Sequence, residues 1–162
     1  MNVRQAMLDD IPQMMEIQAA IIAIGGTTAY LTPFDRVGFL ANYLSPPDTI
    51  CCHVSEDNGT IVGFQSLSVL PGPDQGWADI GTFVAPGLQR RGVGAPLFLA
   101  TQRAGRAAGV SVINAAIRAD NAPGLGYYNR RGFVEYARRP EYALTNGQVV
   151  GRVLMRFDIQ PE

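Results

Sequence analysis

The stretch Val84-Ala-Pro-Gly-Leu-Gln-Arg-Arg-Gly-Val-Gly94 constrains this chain more than any other. An apolar strand ends there, a basic and glycine-rich loop follows, and helical periodicity begins at once. Backbone N–H groups at the start of a helix have no intrahelical partner, and the helix dipole adds partial positive charge to them. Glycines let the main chain approach a ligand closely, and Arg90 and Arg91 add fixed charge. Strand, loop and helix in this order build an anion site, for which a phosphate-bearing cofactor is the natural occupant.

The pattern around that stretch predicts a mixed α/β domain. Val3 to Met7 reads as a first strand, and Asp9 or Asp10 caps a helix with Pro12 in its first turn and Gly25-Gly26 as its stop. Thr32-Pro-Phe-Asp35 has the form of a second helix start, with Thr32 as cap, and that helix ends before Ser45-Pro46-Pro47. Strands at 50–55 and 60–70 flank an Asn58-Gly59 hairpin signal, and a strand from Trp77 to Ala85 leads into the loop. A helix over 92–108, a strand over 110–118, a short helix between Asn121 and Gly132, and strands at 133–138 and 149–158 complete the chain. The expected fold is one domain over residues 1–162, a central mixed sheet of six or seven strands with four helices, ending in β-α-β-α-β crossovers.

Composition bounds the function. With 47% hydrophobic and 17% charged residues the chain is an ordinary soluble globule. Net charge is -1, which gives no global case for nucleic acid. All 13 basic residues are arginine, a bias that a GC-rich genome explains as well as function does. Cys51 and Cys52 are adjacent, so in a strand they point to opposite faces and do not bridge. Two buried thiols, no secretion signal and no apolar run long enough for a bilayer predict a cytoplasmic protein without membrane contact.

Two familiar phosphate loops do not fit. A P-loop ends in Gly-Lys-Ser/Thr, and this chain has no lysine. A dinucleotide fingerprint needs three glycines tight against the strand and an acid about 20 positions on; Gly92 and Gly94 come too late, and Ser111 stands where the acid should be. Gln89-Arg90-Arg91-Gly92-Val93-Gly94 instead resembles the Gln/Arg-x-x-Gly-x-Gly/Ala signature of the GNAT N-acetyltransferase superfamily. Some 27 residues past Gly94, the run Asn121 to Phe133 resembles that family's second signature: Asn121, Tyr128 seven positions on, then Gly132-Phe133.

The resemblance implies the acyl-CoA N-acyltransferase fold, acetyl-CoA as co-substrate, a small-molecule amine as partner, no metal, and the homodimer common in the family. Gln89, Arg90, Arg91, Gly92, Val93, Gly94 and Ala95 would wrap the cofactor diphosphate, and Phe83, Val84 and Ala85 would offer main-chain groups to the peptide-like pantetheine arm. Asn121 would hydrogen-bond the pantetheine; capping its helix is an equal and compatible reading. Arg130 would reach the 3′-phosphate or stay solvated. Tyr128 is the candidate acid: a phenol of pKa ~10 is protonated at neutral pH and donates to a departing thiolate of pKa ~8.5. The alternative is a core aromatic. Tyr127, about 100° around the helix, reads as packing.

Asp79 is the candidate base, as the sole ionisable group between Trp77 and Ala85 and the counterpart of an acidic position in many family members; an exposed-face strand residue is the competing reading. His53, the lone histidine, reads as structural. The leading expectation is N-acetylation of an amino-acid-like or xenobiotic primary amine by direct attack in a ternary complex. The first half resembles phosphinothricin-type acetyltransferases, although those tend to carry His at the position of Tyr128. A non-catalytic acyl-CoA sensor and an acetyltransferase for protein N-termini or ribosomal protein are the alternatives.

Overall fold

Asn58 and Gly59 both hold positive φ, 49° and 80°, the pair of conformations a two-residue type I′ hairpin requires. They join β2 (Thr49–Asp57) to β3 (Thr60–Val69), and the rest of the sheet grows from that hairpin. The computed structural model describes residues 1–161. β1 (Asn2–Gln5) pairs with β2, and β4 (Trp77–Val84) runs antiparallel to β3. α3 (Gly94–Ala107) carries the chain over to β5 (Val112–Arg118), parallel to β4. α4 (Ala122–Arg130) leads to a second hairpin of β6 (Val134–Ala143) and β7 (Val149–Asp158). The seven strands lie in the order β1-β2-β3-β4-β5-β7-β6.

The expected mixed sheet and four helices are therefore present, with one difference in topology. β7, not β6, takes the edge of β5, so the last crossover is replaced by a hairpin whose return strand docks first. β6 is also longer than its sequence pattern indicates, because Pro140 falls in a register break between Arg139 and Tyr142 on an edge strand, where no ladder N–H is needed.

Helices cover both faces. α1 (Ile11–Ile24) and α2 (Arg36–Tyr43) place Ile11, Met14, Phe39 and Tyr43 against Cys52, Val54, Phe64 and Phe83. On the other face Phe98 of α3 and Tyr128 of α4 pack with Cys51, Leu67, Ile80, Ile113 and Val153. Cys51 and Cys52 belong to different cores and are free thiols, as alternating strand positions demand.

Two helix starts differ from expectation. Asp35, not Thr32, caps α2, accepting from Gly38 N at 2.7 Å. Asp10 does not cap α1 through its side chain; a 3-10 turn at Leu8–Asp10 precedes the helix, and the Asp10 carboxylate accepts from Met7 N at 2.8 Å. The same carboxylate takes both terminal nitrogens of Arg4, at 2.7 and 2.8 Å. That fork joins β1 to the start of α1 and holds the Asp10 carboxyl below its usual range.

Past Asp79, β4 and β5 part. Only Trp77, Ala78 and Asp79 pair with Val112, Ile113 and Asn114; β4 then continues to Val84 and β5 to Arg118 with a gap between them. The glycine-rich loop of residues 85–93 sits at the open end of β4.

Because folding depresses the Asp10 pKa, its contribution to stability is present above the unfolded value near 3.8 and disappears as pH falls through the lower folded value. Asp10→Asn should cost about 1–3 kcal/mol at neutral pH by leaving Arg4 short of its buried acceptor. Urea titrations at pH 7 and pH 3 check this, since the gap between wild type and variant must narrow in acid.

Candidate active site

The loop after β4 is shaped by three residues of positive φ: Gly87 at 84°, Arg90 at 64° and Gly92 at 84°. Arg90 is the costly one, because a side chain disfavours this conformation. Gly92 is followed by Val93 in right-handed helical geometry, and alternation of hand turns successive N–H groups to one side as an anion nest. No side chain caps α3. The Gln89 amide oxygen is turned instead to Gly87 N, at 2.8 Å. Arg90, Arg91 and Gly92 are exposed, while Val93 is buried and anchors the turn against Val62 and Leu97. The helix begins at Gly94 rather than Gly92, which leaves Gly92 and Val93 in the loop with their N–H groups free of helical partners.

The gap between β4 and β5 has a defined polarity. Ala85 N donates to Val62 O of β3 at 2.9 Å. Antiparallel pairing alternates, so Phe83, paired with Phe64, also turns its main chain to β3, whereas Ile80, Thr82 and Val84 turn theirs to the gap. Of the three residues expected to offer main-chain groups there, Val84 is the one that faces it.

Side chains divide the gap into two faces. On the α3–α4 face, the Tyr128 hydroxyl lies 2.9 Å from Thr82 Oγ1 and is buried. Tyr127 is more than packing. Its hydroxyl can only donate to the Gly94 carbonyl, at 2.8 Å, so it accepts from Gln65 Nε2 at 3.1 Å. The other hydrogen of that amide nitrogen goes to Thr82 Oγ1 at 2.8 Å. Thr82 Oγ1 and the Tyr128 hydroxyl can each donate to the other. Burial, first of all, pushes the Tyr128 pKa up, with Tyr127 adding to it, so the hydroxyl stays protonated through neutral pH.

Asp79 is an odd number of residues from Thr82 and so emerges on the opposite, α1–α2 face. It is half-buried and accepts from Asn114 Nδ2 at 2.7 Å, and Tyr136 donates to Asn114 Oδ1. Burial raises the Asp79 pKa, outweighing the Asn114 hydrogen bond and the attraction of Arg152. Asn121 caps α4, accepting from Gly124 N at 3.0 Å, and its Nδ2 donates to Thr27 O at 3.1 Å. Arg118 donates to Thr28 O at 3.1 Å, so β5 and α4 together hold the α1–α2 loop over this face. Arg130 is exposed at the end of α4. His53 lies on β2, two strands from the gap, with its pKa lowered by burial. Gln65, Thr82, Asn114 and Tyr136 carry no motif. Their one sequence signal is polarity at positions that strand alternation assigns to a covered face, and it becomes specific only once register is known. Among the described residues no His, Cys, Asp and Glu cluster could hold a metal.

A Cβ on Gly94 would lie 2.5 Å from the Tyr127 ring. Gly94→Ala should therefore cost about 1–3 kcal/mol in urea unfolding. Tyr127→Leu made on top of it should recover part of that loss; strictly additive losses would mean that the ring is not the obstruction.

The fold is shared with a ribosomal-protein-alanine N-acetyltransferase from Brucella melitensis, at TM-score 0.86 and 21% identity over 98% of this chain and 99% of that one. It is shared with yncA from Salmonella typhimurium, solved with its cofactor acetyl-CoA, at TM-score 0.87 and 22% identity over 99% and 95%. A phosphinothricin acetyltransferase from Sinorhizobium meliloti, in complex with AcCoA, matches at TM-score 0.85 and 16% identity over 98% and 88%. No curated protein matches the sequence. The family model for the acetyltransferase (GNAT) family matches residues 14–133, and the chain belongs to that family.

Proposed function

We propose that this protein transfers the acetyl group of acetyl-CoA to the primary amine of a small molecule by direct attack in a ternary complex. Family membership supports the reaction class, and the fold it shares with proteins solved with acetyl-CoA supports the donor. The observation that carries the reading is the parted β4–β5 gap, with a free-N–H loop at its mouth, a protonated phenol on one face and a base of raised pKa on the other.

In this reading the diphosphate lies on the loop from Gln89 to Ala95, beside the N-terminus of α3. Pantetheine runs along β4 and exchanges hydrogen bonds with the main chain of Val84 and Thr82, filling the ladder that β5 leaves empty. An N–H of the same edge receives the acyl oxygen as it gains charge. The amine enters from the α1–α2 face, and Asp79 takes its proton. Nitrogen bonds to the acyl carbon, the carbon–sulfur bond breaks, and the thiolate leaves toward the Tyr128 face. Tyr128 donates its proton to sulfur, and solvent restores it. Asn121 acts on the cofactor side by setting the start of α4, which fixes Tyr128.

The tether of the α1–α2 loop by Arg118 and Asn121 roofs the acceptor side and favours a small amine over a protein tail. Two buried, unbridged thiols fit a reducing cytoplasm, and among the described residues no helix is long and apolar enough to cross a membrane.

A thiol-release assay with acetyl-CoA across a panel of amines tests the reading; tight CoA binding with no release from any amine would turn it toward a sensor. Tyr128→Phe should lower kcat ~100-fold or more while CoA still binds. Thr82→Val should weaken turnover and Thr82→Ser restore it, because the serine keeps the hydroxyl partner of Tyr128. Undiminished turnover in Tyr128→Phe would remove it as the acid.

Asp79 must be ionised to accept a proton, so kcat/KM should rise with pH through a limb lying above the ordinary carboxylate range. Asp79→Asn should abolish that limb and lower kcat ~100- to 10,000-fold. A pH–rate profile of both proteins reads the outcome.

A further inference from the structure

On the face that carries Asp79, α1 and α2 pack over β2 to β4, and beyond them the α1–α2 loop reaches across β5. The register there sets three arginines side by side. Arg152 of β7 is the direct partner of Arg118 on β5 and of Arg139 on β6. Directly paired residues share a face, and like charges so placed repel. A row of this kind is costly unless something neutralises it.

Among the described residues only one member is ion-paired. Arg118 forms a fork with Asp120, at 2.9 and 2.7 Å. Among the described residues, Arg139 and Arg152 make no ion pair and no side-chain hydrogen bond. Arg152 is half-buried, its guanidinium 4.5 Å from the Tyr142 ring centroid, a stacking that fixes its plane and leaves its edge donors open. Asp79 stands in the Asn114 row of the same face, four residues back along β5, ~13 Å by strand rise. Asp79 and Arg152 attract each other across that span without touching. The face thus carries a proton acceptor at one end and unspent guanidinium donors at the other.

We propose that Arg152, backed by Arg139, binds a carboxylate on the acceptor, so that the substrate is an amino acid whose amine points to Asp79. A planar carboxylate matches the guanidinium fork and supplies the charge the row lacks. This rests on the acetyltransferase reading and narrows its acceptor from primary amines in general to those that bear an acid a few bonds away.

The test is specificity, not activity alone. Thiol release from acetyl-CoA is measured with a set of α-amino acids, each beside its amide and its decarboxylated amine. In the wild type, kcat/KM for the acid should exceed that for its amide by tenfold or more. In Arg152→Met this ratio should collapse toward one, chiefly through KM, and Arg152→Lys should restore part of it. Arg139→Met, at an exposed position, should lower the ratio less and serves if the Arg152 variant fails to fold. Equal turnover of acid and amide in the wild type, or equal losses for both in Arg152→Met, would overturn the carboxylate site while leaving the acetyltransferase standing. Binding of the same acids to the CoA-loaded protein, followed by calorimetry, separates the converse case. Arg152-dependent binding without thiol release would keep the site and sink the reaction.

Discussion

The parting of β4 from β5 after Asp79 is the feature on which the rest of the site depends. A sheet normally pairs every main-chain donor and acceptor of its inner strands, and leaving them open inside a fold is expensive. Here three residue pairs hold the strands together, and the next five residues of β4 pair with β3 but not with β5. Strand alternation then decides which groups are open. Val62 takes the Ala85 amide, so Val84 and Thr82 present theirs to the gap. A peptide-like ligand can complete such an edge where a side chain cannot, which is why the gap suits an extended amide chain ending in a reactive acyl group.

The same alternation separates the two halves of the proposed chemistry. Thr82 and Tyr128 lie toward α3 and α4, whereas Asp79, Asn114 and Tyr136 lie toward α1 and α2. A leaving group and an incoming nucleophile approach an acyl carbon from different directions, and a sheet only one strand thick lets each meet its own partner. The Gln65 amide links the halves of the cofactor side. It gives one hydrogen to Tyr127, which is bound to the first residue of α3, and the other to Thr82. The start of α3 and the Tyr128 hydroxyl are thus parts of one hydrogen-bonded unit.

Much of this was legible in the chain. The Asn58-Gly59 hairpin, the Gly25 and Gly109 stops, the Asn121 cap and the glycine-rich loop are local, and their conformations follow from residues a few positions apart. In two places a partner from another element intervened. Asp10 is drawn off its helix by Arg4 of the neighbouring strand, and Tyr127 is held by Gln65 and Gly94, 62 and 33 residues away. β7 preceding β6 at the edge of β5 is likewise a choice between strands that periodicity cannot rank.

Short runs of the chain carry the strand–loop–helix order around residues 84–94, the second signature from Asn121 to Phe133, and hence the family, because each depends on local spacing. Tertiary structure alone decided what meets across the sheet: the Thr82–Tyr128 contact, the Asn114 bond to Asp79, and the row Arg118–Arg152–Arg139. These depend on register, which is set by the packing of two cores on opposite faces. A one-residue slip of a strand would turn its side chains, Thr82, Asp79 or the arginines among them, to the other side.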